Sequence, residues 1–187
     1  MDKPKKSGPA IFMYCVIALT AAVAAGCFLL YYRDIRRTGL VLWTGITAFT
    51  IMYHLWLRLI MGNVTKLFRL NYRQWWFQER GFERGLYRRL RVKRWKDKAL
   101  TYNPELYDVR NRTLEQLADA MCKSETDHWV NELISLSTLI FGLIWGQLWI
   151  FLLSALCAMA FDAQFIIIQR YNRPRVVRMM DRRAVKS

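Results

Sequence analysis

The sequence predicts an all-α integral membrane protein with four transmembrane helices and a basic amphipathic interfacial helix between the second and third. Three observations predict it. The chain of 187 residues is 54% hydrophobic yet carries a formal net charge of +15, which suits a small polytopic protein whose charges lie outside the bilayer. Its apolar residues gather in runs long enough to cross a hydrocarbon core of about 30 Å. Its Lys and Arg gather between those runs, fifteen from Val64 to His128 and seven after Ile168. The whole, residues 1–187, reads as a single membrane domain.

The first span is expected at 10–32, where no charge interrupts Ala10 to Tyr32. Met1-Asp2-Lys3-Pro4-Lys5-Lys6 has the charge of a signal-peptide n-region. The apolar run that follows exceeds an h-region of about 7–15 residues, so an uncleaved span is expected. The second span, 39–61, contains His54 and Arg58, four apart and so on one helix face. From Trp129 to Ile168 the sequence is largely apolar, broken only at Gly146 and Gln147. That length fits two spans, 129–146 and 147–168, joined by a tight turn, with Asp162 inside the second of them. Loops rich in Lys and Arg stay in the cytoplasm. The insert 64–128, the tail 169–187 and both termini are therefore expected on the cytoplasmic side of a multi-pass cell-membrane protein. Cys15, Cys27 and Cys157 sit in apolar runs and Cys122 in a polar one. No Cys or Cys/His spacing suggests disulfides or a metal.

Within the insert, Phe68 to Leu90 reads as the interfacial helix. Phe68, Tyr72, Trp75, Phe82, Leu86 and Leu90 fall in one stripe at helical spacing, with Arg69, Arg73, Arg80, Arg84, Arg88 and Arg91 opposite. Such a face attracts anionic head groups. Calmodulin-like or nucleic-acid partners also use basic faces, but flanking spans favour lipid, and no nucleic-acid partner is expected. Gly81 and Gly85 weaken the helix. Glu79 falls on the apolar stripe and Glu83 borders it, which calls for an ion pair with a nearby arginine. Tyr102 to Thr113 reads as a loop turning at Asn103-Pro104. Thr113-Leu114-Glu115-Gln116 has the form of a capping box that starts a helix. The stripe of that helix passes from Leu114, Leu117, Ala118 and Met121 to Glu125, His128 and Glu132. Ionisable groups on a core-facing stripe at membrane depth mark a functional site or a buried ion-pair cluster, with Arg170 or Arg58 as partners.

The last apolar run leads into Gln169-Arg170-Tyr171-Asn172-Arg173-Pro174-Arg175. Guanidinium groups and amides placed where a helix leaves the bilayer can hold phosphate or carboxylate by bidentate bonds.

Val92-Lys93-Arg94-Trp95-Lys96-Asp97-Lys98, Tyr107-Asp108, Glu125-Thr126-Asp127-His128-Trp129 and Ile166 to Arg175 occur in that order. Together they resemble the glycosyl-4,4'-diaponeurosporenoate acyltransferase family of bacterial membrane proteins, over roughly residues 90–175. The member that names that family esterifies a sugar hydroxyl of a carotenoid pigment with a fatty acyl group. The resemblance implies acyl transfer at the cytoplasmic membrane surface. The expected donor is acyl-coenzyme A or an acyl-carrier protein, and the acceptor is a hydroxyl of a lipid or glycolipid; no permanently bound cofactor is implied.

The chemistry then suggests roles. His128 is the natural general base and Glu125 its orienting partner. Arg170, Arg173 and Arg175 suit donor phosphates, with Gln169 and Tyr171 beside them, and Asn172 suits the developing oxyanion. Trp95 and Lys96 would cap the site. Glu79, Glu132, Asp162, His54 and Arg58 are secondary candidates. The H-x-x-x-x-D motif of other acyltransferases is absent. Two further readings stay open: a membrane methyltransferase or reductase acting on lipid, and a non-catalytic lipid-binding assembly subunit.

Overall fold

The computed structural model describes residues 8–98 and 112–185. Among these residues the fold is all-helical, and three helices are long and apolar enough to cross a membrane. The loop expected between Tyr102 and Thr113, with Asn103-Pro104 and Tyr107-Asp108, lies mostly outside the described residues. The chain divides into two compact units, Met1–Ile60 and Met61–Ser187.

The first unit is a helical hairpin. α1 spans Gly8–Tyr32 and α2 begins at Gly39. Both bounds follow the apolar runs closely. The connection turns at Asp34, whose φ of 55° is left-handed and whose carboxylate accepts from Arg37. Gly45 lies where an added Cβ would meet Cys27 and Phe28 at 3.0–3.1 Å, so a larger residue would push α1 and α2 slightly apart. His54 and Arg58 share a face of α2, which runs unbroken to Val64.

The second unit is organised by two antiparallel helices. The short helices α3 (Glu83–Arg89) and α4 (Val92–Trp95) come first in the chain. α5 follows over Leu114–Ser137, α6 over Leu139–Trp145 and α7 over Leu148–Ala184. The expected capping box starts α5. Gln116 N–H donates to Thr113 Oγ1 at 3.2 Å, and Thr113 N–H donates back to Gln116 Oε1 at 3.1 Å. The expected tight turn joins α6 to α7 through Gly146 and Gln147, both at positive φ. Gly142 makes room for this turn, since a Cβ there would lie 2.9 Å from Leu148 Cα. The buried face of α7 runs Phe151, Ala155, Asp162, Ile166, Gln169, Arg173, Val176, a single helical stripe. At its far end Leu117, Ala118, Met121 and Val176 form an apolar core with Tyr72, Leu114 and Met180 against it.

Three expectations are corrected. The third apolar segment is not one helix. α5 carries it to Ser137 and α6 resumes at Leu139, with Thr138 buried and its hydroxyl bonded to the Ser135 carbonyl. The last apolar run does not end its helix near Ile168, because α7 continues through Pro174 to Ala184. Pro174 removes a backbone donor and crowds the Arg170 carbonyl, yet the helix runs on past it. Phe68 to Leu90 is not a continuous amphipathic helix. It forms a 3₁₀ turn at Trp75–Phe77, then extended residues, then α3. The reason lies in the arginines of α7, described next.

Candidate functional site

α7 presents Arg170 and Arg173 one turn apart, and α5 presents Glu125 between them. Arg170 Nη1 donates to Glu125 Oε1 at 2.6 Å, and Arg173 Nη1 to Glu125 Oε2 at 2.5 Å. Arg170 also holds Glu83 of α3, through Nη2 at 2.6 Å and Nε at 2.9 Å. Glu125 is fully buried and Arg173 is 2% exposed. Buried charges persist only when paired and hydrogen-bonded, and this chain of two carboxylates and two guanidinium groups meets that condition. The same arginines grip backbone. Arg173 donates to the Phe77 carbonyl from Nε at 3.0 Å and Nη2 at 2.7 Å, while Arg170 reaches the Trp76 and Gln78 carbonyls. In a helix those carbonyls would accept from amides four residues on. Arginine takes them instead, and the periodic pattern of the segment loses to this tertiary contact.

Lower on the seam sits a second polar group. His128 Nδ1 lies 2.7 Å from Asp162 Oδ1, and Asn131 Nδ2 donates to the same oxygen at 3.1 Å. The imidazole stacks on Phe165 at 4.7 Å between centroids, tilted by only 8°. The ring plane is therefore held from two sides, and Nε2 has no hydrogen-bond partner among the described residues. His128 is 21% exposed and Asp162 is 1% exposed.

Two cavities adjoin the arginine chain. An apolar pocket of about 380 Å³ is walled by Trp76, Phe82, Leu86, Trp129, Ile166 and Ile167, with Glu83, Glu132, Arg80 and Arg170 also in its lining. A basic groove of about 720 Å³ is formed by α3, α4 and the outer part of α7. Tyr87 lines both. Its hydroxyl donates to Glu83 Oε2 at 2.9 Å, and burial together with that bond raises its pKa well above the usual phenol range. Cys122, fully buried on α5, is pushed up to about 12 chiefly by burial, so its thiol is a poor nucleophile.

The structure thus joins Glu125, Arg170 and Arg173, and separates His128 from them. Glu125 does not orient His128; Asp162 occupies that place. Arg170 and Arg173, expected to grip phosphate, are committed to Glu83, Glu125 and backbone carbonyls. Gln169 Nε2 donates to Ser124. Tyr171 and Arg175 face the basic groove, the guanidinium 3.4 Å over the ring, and Asn172 lines neither cavity. Trp95 donates to the Leu90 carbonyl and Lys96 pairs with Asp97, and neither residue lines either cavity. Glu79 has the expected arginine partner: Arg84 donates to it at 2.9 Å and Arg178 at 3.3 Å. Glu132 is buried at the apolar pocket. His54 and Arg58 belong to the first unit.

Sequence reasoning did not single out Tyr87 or Asn131 for this site, while Glu83, expected to pair with a nearby arginine, pairs with Arg170. Glu83 and Tyr87, four apart, carried a usable signal, since that spacing puts a carboxylate and a phenol on one helix face. Asn131 carried none.

A family model described as glycosyl-4,4'-diaponeurosporenoate acyltransferase matches residues 73–182. No curated protein and no solved structure matches. The matched segment holds the arginine chain, the His128–Asp162 pair and both cavities.

Proposed function

The chain belongs to the glycosyl-4,4'-diaponeurosporenoate acyltransferase family, and from that premise we propose that it transfers a fatty acyl group from a thioester to a hydroxyl of a membrane lipid or glycolipid. The apolar pocket carries this reading. It is a cavity of about 380 Å³ lined mainly by two tryptophans and apolar side chains, with a few charged groups among them, and suits an alkyl chain entering from a bilayer. The family's description names a glycosylated carotenoid acid as acceptor, and an acceptor of that amphiphilic kind fits a site built on α7, a helix long and apolar enough to cross a membrane.

In the proposed reaction His128 Nε2 takes the proton of the acceptor hydroxyl. The oxygen attacks the thioester carbonyl, the carbon–sulfur bond breaks, and the imidazolium returns its proton to the departing thiolate. Asp162 holds the tautomer that leaves Nε2 as acceptor and stabilises the imidazolium, in the manner of other carboxylate–imidazole pairs. His128 follows the pocket by one step, because its neighbour Trp129 lines the wall. A second reading has a specific observation behind it. Glu132 lies in the pocket lining itself, and His128 does not. A buried carboxylate there would serve as base in its place.

Turnover by the purified protein, with a radiolabelled acyl thioester and a lipid extract as acceptor, separates the two. His128→Ala is expected to cut turnover by about 10²–10⁴-fold, with Asp162→Asn also slowed and Glu132→Gln little changed. Normal turnover in folded His128→Ala, with loss in Glu132→Gln, would move the base to Glu132.

The basic insert supports lipid contact. Trp75 is 73% exposed, and Phe68, Phe82 and Leu86 are also exposed amid arginines, the mixture expected at an anionic head-group layer. The charge distribution supports a cytoplasmic insert and cytoplasmic termini, with the Trp129–Trp145 stretch making a further crossing in two helical pieces. Single-cysteine probes at Lys98 and Arg183 should label only from the inside of sealed vesicles; outside labelling would refute the orientation.

A further inference from the structure

The basic groove has more positive charge than the fold can use. Its one carboxylate, Glu79, already takes Arg84 and Arg178. Arg88, Arg91, Lys93 and Arg94 also line it and form no ion pair among the described residues. Like charges held together repel, so this arrangement costs stability unless an anion fills it.

The backbone is also shaped for the groove. Arg91 sits between α3 and α4 at φ 50° and ψ 39°, a left-handed conformation rare outside glycine and asparagine. That turn swings Lys93 and Arg94 to the same cavity as Arg84 and Arg88. A glycine would make the turn without strain, but would lack the charge.

Tyr87 lines the groove on one side and the apolar pocket on the other. A molecule with phosphates at one end and an acyl chain at the other would fill both cavities, with its joint near the Tyr87 hydroxyl.

We propose that the groove binds the nucleotide and diphosphate end of coenzyme A, so that the acyl donor is acyl-coenzyme A with its chain in the adjoining apolar pocket. This inference rests on the acyl-transfer reading above. Guanidinium groups pair with phosphate oxygens at two points, and the cavity lies within the range of about 300–1,000 Å³ usual for small-molecule sites. A phospholipid head group brings a single phosphodiester to a groove with four cations unpaired among the described residues. A carrier protein presents a convex acidic surface, whereas this feature is concave. Coenzyme A brings several phosphates in a compact shape.

The test is calorimetric titration of the full chain in zwitterionic detergent with free coenzyme A, dephospho-coenzyme A and pantetheine. Free coenzyme A should bind, dephospho-coenzyme A more weakly, and pantetheine not measurably. Arg88→Gln and Arg94→Gln should each raise the coenzyme A Kd about tenfold, as for one lost charge-assisted contact. Arg91→Gly removes the charge and the backbone strain together, so weaker binding with undiminished thermal stability excludes unfolding as the cause. Pantetheine binding as tightly as coenzyme A, or Kd values unmoved in all three variants, would overturn the proposal. So would loss of binding to vesicles of anionic phospholipid, or to an acylated carrier protein, in variants that keep coenzyme A affinity. Assaying acyl transfer from both acyl-coenzyme A and an acyl-pantetheine thioester keeps the two readings apart. Groove-dependent coenzyme A binding without product from either thioester would uphold the site and sink the acyl-transfer reading.

Discussion

Two arginine clusters lie side by side in the second unit, and they are opposites. Arg170 and Arg173 are buried or nearly so, and their donors go to Glu83, Glu125 and three backbone carbonyls. Arg88, Arg91 and Arg94 are exposed and pair with no carboxylate among the described residues. The first cluster is a fastener: it ties α3 and the Trp75–Phe77 turn to the α5–α7 seam. The second is a vacancy in charge. An arginine's type and position in a basic stretch do not distinguish these fates; the count of its satisfied donors does.

The largest effect that would break this contrast is expected at Glu125. Glu125→Ala leaves two guanidinium groups buried without their shared partner, and losing one member of a buried pair costs about 3–5 kcal/mol. Denaturant unfolding should show that loss. A change of only a few tenths would mean that the fastener is not one. Arg173→Lys comes next. An ammonium cannot span both the Phe77 carbonyl and Glu125 from one plane, so a loss of about 1–3 kcal/mol is expected, with coenzyme A affinity retained. Weakened affinity at unchanged stability would instead return Arg173 to a phosphate-binding role. Arg94→Gln is the counterpart: stability within about 0.5 kcal/mol of the parent, affinity lowered.

Much of the scaffold was legible in the sequence, because the forces that set it are local or one-dimensional. An uncharged run from Ala10 to Tyr32 must be a long apolar helix. Thr113 and Gln116 cap α5 from four residues alone, and Gly146 with Gln147 breaks the last apolar stretch. The stripe through Glu125, His128 and Glu132 also gave the right face of α5 for burial, with Glu125 and Glu132 buried and His128 largely so. What the sequence could not show was who meets whom across the seam. Glu125 and Asp162 are both acidic and both plausible partners for His128. Only the antiparallel register of α5 against α7 puts Asp162 at His128 and leaves Glu125 to the arginines. The Phe68–Leu90 segment failed for the same reason. Its helical periodicity is real, but its carbonyls are claimed by residues nearly a hundred positions away.

Glu79 stands on the boundary between the two clusters, and the smallest expected effect is there. It is paired like a fastener yet lines the groove. The hydrogen bond from Arg84, and then the charges of Arg84 and Arg178, hold its carboxyl below the usual range, while partial burial works against them. A depressed carboxylate contributes stability that is fully present above its unfolded pKa, near about 4.3, and is lost as pH falls through the folded value. Parent and Glu79→Gln should therefore converge in stability in acid and separate above that pH. Arg84 is largely exposed, so the gap should be only about 0.2–1 kcal/mol. The same substitution frees Arg84 and Arg178 toward the groove and removes its one negative charge. If the groove awaits an anion, Glu79→Gln should bind coenzyme A a few-fold more tightly at neutral pH even as it loses that small increment of stability. Opposite signs in the two measurements would show one residue restraining a binding site that its neighbours built. A loss in both would make Glu79 part of the fastener alone.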